Sequence, residues 1–316
     1  MEGGRLPGNI QTMNNEKITP SDCCEDTPCT QQNLTYSSRV ATFGPAGNTS
    51  PFPHTYQAMK WLAEQGLDAF EYSAGRGVSG SLETFAKIGD EARAHNIKMS
   101  FHAPYFISLT STDPAIMART QQHITKSIAA AQAMDADIIV IHPGGTAKMQ
   151  RSEALRIAKD ALTRALEAHS DSTIRLGIET MGKIGALGTL DEVLDMCSLD
   201  KRVVPVVDFG HIYARERGAF PLTHDDYSRI FDTISTSCGA DIAQNLHCHF
   251  SRIEYTAGGE KQHHTFADTQ YGPEYSPLID VIAREKLTPR IICESAGTQA
   301  QDALEMKRYY EQKSKS

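Results

Sequence analysis

From Arg39 onward, short apolar runs alternate with amphipathic stretches. The runs read RVATFG, DAFEYS, IKMSFHAPY, ADIIVIHPG, IRLGIET, VVPVVDFG, NLHCHFS and RIICESAG. Between them lie helix-patterned segments at 55–65, 82–95, 114–134, 152–169, 190–198, 225–238, 275–286 and 299–310. In 114–134, Ile116, Thr120, His123, Ile124, Ser127, Ile128 and Ala131 recur at helical spacing, and Pro114 suits a first turn. In 152–169, Ser152 is expected to cap a helix. Its stripe is Ala154, Leu155, Ala158, Ala161, Leu162, Ala165 and Leu166. About eight strand–helix units over ~270 residues predict a single (β/α)8 barrel of ordinary size. An open doubly wound sheet would require a glycine-rich phosphate turn after an early strand, and Gly75-Arg76-Gly77 is only a fragment of one. The longest connection runs from His249 to about Glu274, and a connection of that length in a compact domain is usually functional.

Six of the runs close on a side chain that can bind a divalent metal: His102, His142, Glu179, Asp208, His249 and Glu294. The C-terminal ends of barrel strands carry the chemistry of such folds. A lone His102 would more often be a hydrogen-bonded core residue, and a lone His142 reads equally as a turn stabiliser or a ligand. A carboxylate closing a buried strand, as at Glu179 and Glu294, needs a partner, because burial unpaired would cost several kcal/mol or force protonation. Asp208 and His211 stand three apart in D-F-G-H, where the bland alternative is a helix-capping Asp and a surface His. His247 and His249 are two apart on a strand and point to one face, so one reaches the mouth and the other lies deeper. His263 and His264 belong to the long connection. Imidazole and carboxylate together suit Zn²⁺ or Mn²⁺. So many ligands imply two or three ions sharing a bridging carboxylate, an arrangement suited to in-line displacement at phosphorus.

Composition narrows the classes. The 316 residues are 40% apolar and 22% charged, as in globular proteins. No apolar run approaches the roughly 20 residues of a membrane span. Residues 1–38 are rich in Asn, Thr, Ser, Gln, Gly and Pro without period, which predicts a disordered leader ahead of a barrel domain at 39–316. That leader has no apolar signal-peptide core, so a cytoplasmic location and a monomer are the default expectations. The seven cysteines form no CxxC pair and are expected as free thiols. A net charge of −8 argues against nucleic-acid binding by bulk electrostatics. It allows an enzyme that meets phosphate through bound cations.

The phrases FHAPY, VIHPG, GIET, VDFGH, LHCHFS, the KQHH loop and ICESAG, in this order and spacing, resemble the endonuclease IV family of apurinic/apyrimidinic endonucleases, within the xylose-isomerase-like TIM barrels. The resemblance runs from about Arg39 to the last helix. It implies a zinc centre that cleaves the phosphodiester 5′ to an abasic site in double-stranded DNA. Glu179 would bridge, His102 and His142 would complete one site, and Asp208, His249 and Glu294 a second. His211 and His263 would bind a third ion, with Glu179 and Glu294 counted as catalytic. Tyr105 and Arg76 would enter the DNA at the lesion. One position departs: Lys261 stands where the family has a third-site Asp, and neither register of EKQHH supplies a carboxylate there. Glu260, Asp268 or Glu274 could serve only after a loop rearrangement, so two ions are better supported than three. The alternative reading is a single-metal sugar isomerase or epimerase that uses Glu179, Asp208, His249 and Glu294.

Overall fold

The structure, a computed structural model, describes residues 40–47, 50–146 and 149–315. The leader expected over 1–38 lies outside the described residues. The elements in chain order are β1 (Thr42–Pro45), α1 (Thr55–Glu64), β2 (Ala69–Ser73), α2 (Leu82–Ala94), β3 (Lys98–His102), α3 (Pro114–Ala133), β4 (Ile138–Ile141), α4 (Arg151–Ala168), β5 (Arg175–Glu179) and α5 (Leu190–Cys197). Then follow β6 (Val203–Asp208), α6 (Phe209–Arg215), α7 (His224–Cys238), α8 (Ala240–Gln244), β7 (His247–Phe250), β8 (Arg252–Thr256), β9 (Gly259–His264), α9 (Ser276–Arg284), β10 (Arg290–Cys293) and α10 (Gln299–Lys313).

Eight strands pair in parallel in the order β1-β10-β7-β6-β5-β4-β3-β2. The seam between β1 and β2 carries an Ala46–Glu71 bridge and a bond from Gly47 N to Glu71 O at 2.9 Å. The expected (β/α)8 barrel is therefore what forms. Alternation along the strands sets its two cores. On β4, Ile139 and Ile141 join the large apolar layer packed under the helices. Their neighbours Ile138 and Val140 meet Val204 and Val206 of β6 in a small separate cluster inside the barrel. One step further toward the strand ends, the same inward positions become His142 and Asp208. Along β4 and β6 the inward positions thus run from apolar to ionisable at the mouth.

Helix starts follow local chemistry. Asp113 accepts from the amides of Ala115 and Ile116 at 2.8 and 3.1 Å, with Pro114 opening α3. Capping boxes Thr189–Glu192 and Thr223–Asp226 open α5 and α7. Ser152 is not the cap of α4; the helix begins at Arg151 after an N-cap at Gln150. Arg151 is anchored there by two bonds to Glu192, both 2.7 Å, and by the carbonyls of Ile184 and Ala186. The long connection after His249 contains an antiparallel hairpin, β8–β9, in a stretch with no strand period. Among the described residues Cys197, Cys238, Cys248 and Cys293 are free thiols, and no helix is long and apolar enough to cross a membrane.

Candidate functional site

Glu179, at the end of β5, is fully buried at the centre of the mouth. Its Oε2 lies 2.9 Å from His142 Nε2 and 3.4 Å from His102 Nε2, and its Oε1 lies 3.2 Å from the Nδ1 atoms of both His211 and His249. Its ion-pair partners among the described residues are all imidazoles. Donor atoms of His102, His142 and Glu179 fall within 4.8 Å of one another, and so do those of Glu179, Asp208, His249 and Glu294. Asp208 also caps α6, accepting from His211 N at 2.7 Å, so the capping and ligand readings hold together. That bond engages Oδ1 alone. Asp208 Oδ2 is buried with no hydrogen-bond partner among the described residues. Buried carboxylates and imidazoles facing one point, with such an orphaned oxygen, fit a divalent cation.

The electrostatics agree. Burial alone would raise the Glu179 carboxyl, but the charges of His142 and His249 and hydrogen bonds from His102 and His142 bring it well below the usual range. Burial would lower His102, yet the bond and charge of Glu179, with Glu71 and Glu294, push it up to about 9. His211 and His249 are likewise raised against burial, by Asp208 and Glu179 for the first and by Glu71, Glu294 and Glu179 for the second. Without a metal, the raised imidazoles offset the charge of these carboxylates.

A third group was not legible as such. In the β8–β9 hairpin, Tyr255 faces Glu260 while Glu254 faces Gln262, so Lys261 is the extra residue of a β-bulge. In an unbroken strand Lys261 would share a face with His263. The bulge reverses that parity and places Glu260 on the His263 face. Glu260 Oε2 lies 3.4 Å from His211 Nε2 and its Oε1 3.8 Å from His263 Nε2. Lys261 turns away and donates to Glu254 Oε1 at 2.6 Å. The expectation that Glu260, Asp268 or Glu274 could reach His211 and His263 only after a loop rearrangement is refined: the bulge brings Glu260 there without any shift of the histidine frame. Asp268 instead accepts from Thr265, Glu274 pairs with Arg252, and His264 pairs with Glu254 and Asp268.

The β5–α5 loop holds this hairpin in place. Glu260 N donates to Gly182 O at 3.1 Å, and Ile184 N to Gly258 O at 3.0 Å. Gly259 has φ +87°, and a Cβ there would sit 2.2 Å from Gly182 O, so only glycine permits the approach. Arg215 braces the loop by donating to the carbonyls of Met181 at 2.9 Å, Lys183 at 2.8 Å and Ala186 at 3.1 Å.

Tyr105 is 58% exposed on the rim, its ring 5.4 Å from that of His102 and 5.3 Å from that of His142. It is therefore not a core tyrosine. Its amide donates to Gly75 O at 3.2 Å, which ties it to the turn that carries the exposed Arg76. His249 stands at the mouth and His247 deeper, as their shared strand face predicts. Sequence reasoning missed Glu71 on β2, whose carboxylate meets His247 Nε2 at 2.9 Å. Its only signal was a carboxylate inside the run AFEYS. Burial pushes His247 down to about 4 despite that contact.

Comparison with known proteins bears on this geometry. An uncharacterized protein of Methanocaldococcus jannaschii is 27% identical over 271 residues, covering 85% of this chain and 97% of that one. A probable endonuclease 4 of Acholeplasma laidlawii is 27% identical over 200 residues, covering 60% of this chain and 65% of the relative. Among solved structures, a D-tagatose 3-epimerase-like protein superposes with a TM-score of 0.65 at 18% identity, covering 86% of this chain and 96% of that one. Endonuclease IV from Thermus thermophilus gives 0.64 at 15%, covering 86% and 99%. At such identities these superpositions establish the fold alone. The model of the xylose isomerase-like TIM barrel family matches residues 59–310, and the chain belongs to that family.

Proposed function

We propose that the chain is a metal-dependent apurinic/apyrimidinic endonuclease of base-excision repair. It hydrolyses the phosphodiester 5′ to an abasic site in double-stranded DNA, acting as a cytoplasmic monomer. The observation that carries the reading is the His211–Glu260–His263 group standing beside two ligand groups that share Glu179. The likeness to proteins named probable endonuclease 4 supports it.

His102, His142 and Glu179 would hold one ion, Glu179, Asp208, His249 and Glu294 a second, and His211, Glu260 and His263 a third. The donor set suits Zn²⁺, with Mn²⁺ an alternative. When bound, such ions supply Lewis acidity, lowering the pKa of water and offsetting charge on the attacking and leaving oxygens. Glu179 fixes the spacing of the first two groups by offering one oxygen to each. Glu294 is the least buried carboxylate of its group, and its Oε2 faces the cavity 4.0 Å from His263 Nδ1. It orients the attacking water by accepting a hydrogen bond from it. As the water oxygen adds to phosphorus its proton passes to Glu294, the bond from phosphorus to the 3′ oxygen breaks, and that proton ends on the departing 3′ oxygen. The products are a 3′-hydroxyl and a 5′-deoxyribose phosphate. Tyr105, exposed on the rim, stacks on bases beside the lesion, and Arg76 meets the distorted strand.

A second reading rests on one specific observation. Glu179, Asp208, His249 and Glu294 by themselves make a four-ligand site, sufficient for a single-metal sugar epimerase. That reading leaves the Glu260 group without a use. The deciding experiment offers zinc-loaded protein a duplex with one synthetic abasic site and counts metal on the same sample. Incision 5′ to the lesion with three ions per chain supports the nuclease. Intact DNA and one ion per chain would replace it with the epimerase.

A further inference from the structure

One layer beneath the mouth lies a buried carboxylate that the proposed ligand set does not use. Glu71 has no solvent exposure. Its Oε2 accepts from Ser100 Oγ at 2.9 Å and lies 2.9 Å from His247 Nε2. Its Oε1 lies 3.1 Å from His249 Nε2. The other nitrogen of the same ring, His249 Nδ1, faces Glu179 Oε1 at 3.2 Å and Glu294 Oε1 at 3.6 Å. One imidazole thus spans two carboxylate layers. Neither Glu71 Oε1 nor His249 Nε2 has an aligned hydrogen-bond partner among the described residues; their 3.1 Å approach is an ion-pair contact that a small rotation of the ring would turn into a hydrogen bond.

A carboxylate at this depth is expensive. A hydrocarbon of similar volume, continuing the apolar interior formed by Val140 and Val206, would cost less to bury. Its benefit must therefore lie in what it orients. An imidazole has two neutral tautomers, and the one present is set by the hydrogen bond made by the nitrogen that does not ligate. We propose that Glu71 is a positioning residue: it accepts the Nε2–H of His249 and so fixes Nδ1 as the nitrogen that faces the metal pocket, while Ser100 and His247 hold the carboxylate in place. The inference rests on the reading that His249 is a metal ligand. It does not depend on DNA being the substrate.

The test uses the full chain, stripped with a chelator and titrated with Zn²⁺ against a chromophoric competitor. ¹⁵N NMR of the loaded protein reports the His249 tautomer, and the melting temperature of the stripped protein reports folding. Glu71→Leu should weaken zinc binding 10–100-fold at one ion per chain, the usual cost of losing such an outer partner. It should also mix the His249 tautomers. Glu71→Gln keeps an accepting oxygen and should fall between Leu and wild type. Ser100→Ala should lose a smaller factor, and it carries the test if Glu71→Leu does not fold. Folded Leu and Gln variants with wild-type zinc affinity and an unchanged tautomer would overturn the proposal and leave Glu71 a structural residue. Both readouts are made without DNA, so a wild-type protein that fails to incise abasic DNA would defeat the nuclease reading and leave this one standing.

Discussion

Restoring the carboxylate that Lys261 replaces should do nothing, whereas removing its neighbour should cost an ion. In a straight strand, Lys261→Asp would place a ligand beside His263. Here the bulge turns position 261 toward Glu254, so the new carboxylate would meet a like charge on the far face. Glu260→Gln, by contrast, removes the charge that lies 3.4 Å from His211 Nε2 while keeping the backbone bond to Gly182. Loss of an outer-shell partner usually weakens a metal site 10–100-fold, so loss of a direct ligand should reach at least ~100-fold, about 2.7 kcal/mol. After dialysis against a competing chelator, elemental analysis should find one ion fewer per chain in Glu260→Gln and no change in Lys261→Asp. Both stripped variants should melt close to wild type, because neither change touches the core. A tighter third ion in Lys261→Asp, or a full complement in Glu260→Gln, would refute the assignment of the bulge.

Three other outcomes are expected. Glu179→Gln should abolish incision and release ions from two groups at once, since both its oxygens are engaged; an active variant in a gel-based abasic-site assay would contradict the scheme. Arg215→Ala removes donations to the carbonyls of Met181, Lys183 and Ala186 and should destabilise the protein by about 3 kcal/mol in denaturant melts. It should loosen the third ion before the other two, and equal loss of all three would count against the brace. In the metal-free fold His102 is held at about 9, above the 6.5 of a free imidazole. The stability from its proton is fully present below pH 6.5 and is lost as pH rises through 9. Zinc uptake at pH 7.5 should therefore expel more than one proton per chain, from His102 and from the similarly raised His211 and His249, as read by calorimetry in two buffers. No proton release would show that these rings are already neutral.

The sequence exposed features that repeat with a period and concealed those that depend on breaking one. Each barrel strand is a run of inward and outward apolar positions, and in six of them the last inward residue is a candidate ligand, so His102, His142, Glu179, Asp208, His249 and Glu294 could be read off the ends of the runs. The start of α3 followed from Pro114, while the capping boxes at Thr189 and Thr223 were not singled out. Ser152 failed as a cap because Arg151 is anchored across the loop to Glu192, a contact 41 residues away that no local rule contains. Glu260 was hidden because alternation on β9 is broken by one inserted residue, and a bulge has no signature in EKQHH. Glu71 was hidden for the opposite reason. It obeys the period, but one carboxylate in AFEYS carries no message until Ser100 and His247 are seen around it.

What neutralises the mouth separates the two functional readings more sharply than the fold does. Glu71, Glu179, Asp208, Glu260 and Glu294 crowd together with His102, His211 and His249, which hold protons when no metal is bound. With neutral imidazoles and one divalent ion, five carboxylates would leave a local charge of about −3; with three ions it becomes about +1. A neutral sugar is indifferent to that difference. A phosphodiester is not, because its approach to the first site would be opposed and to the second favoured. The net charge of the whole chain is −8, so its overall balance does not favour a phosphodiester either. The metal count therefore fixes the sign of the field a substrate meets. Incision of abasic DNA should appear only as the third group fills, and should weaken with Glu260→Gln even though the Glu179, Asp208, His249 and Glu294 group stays intact.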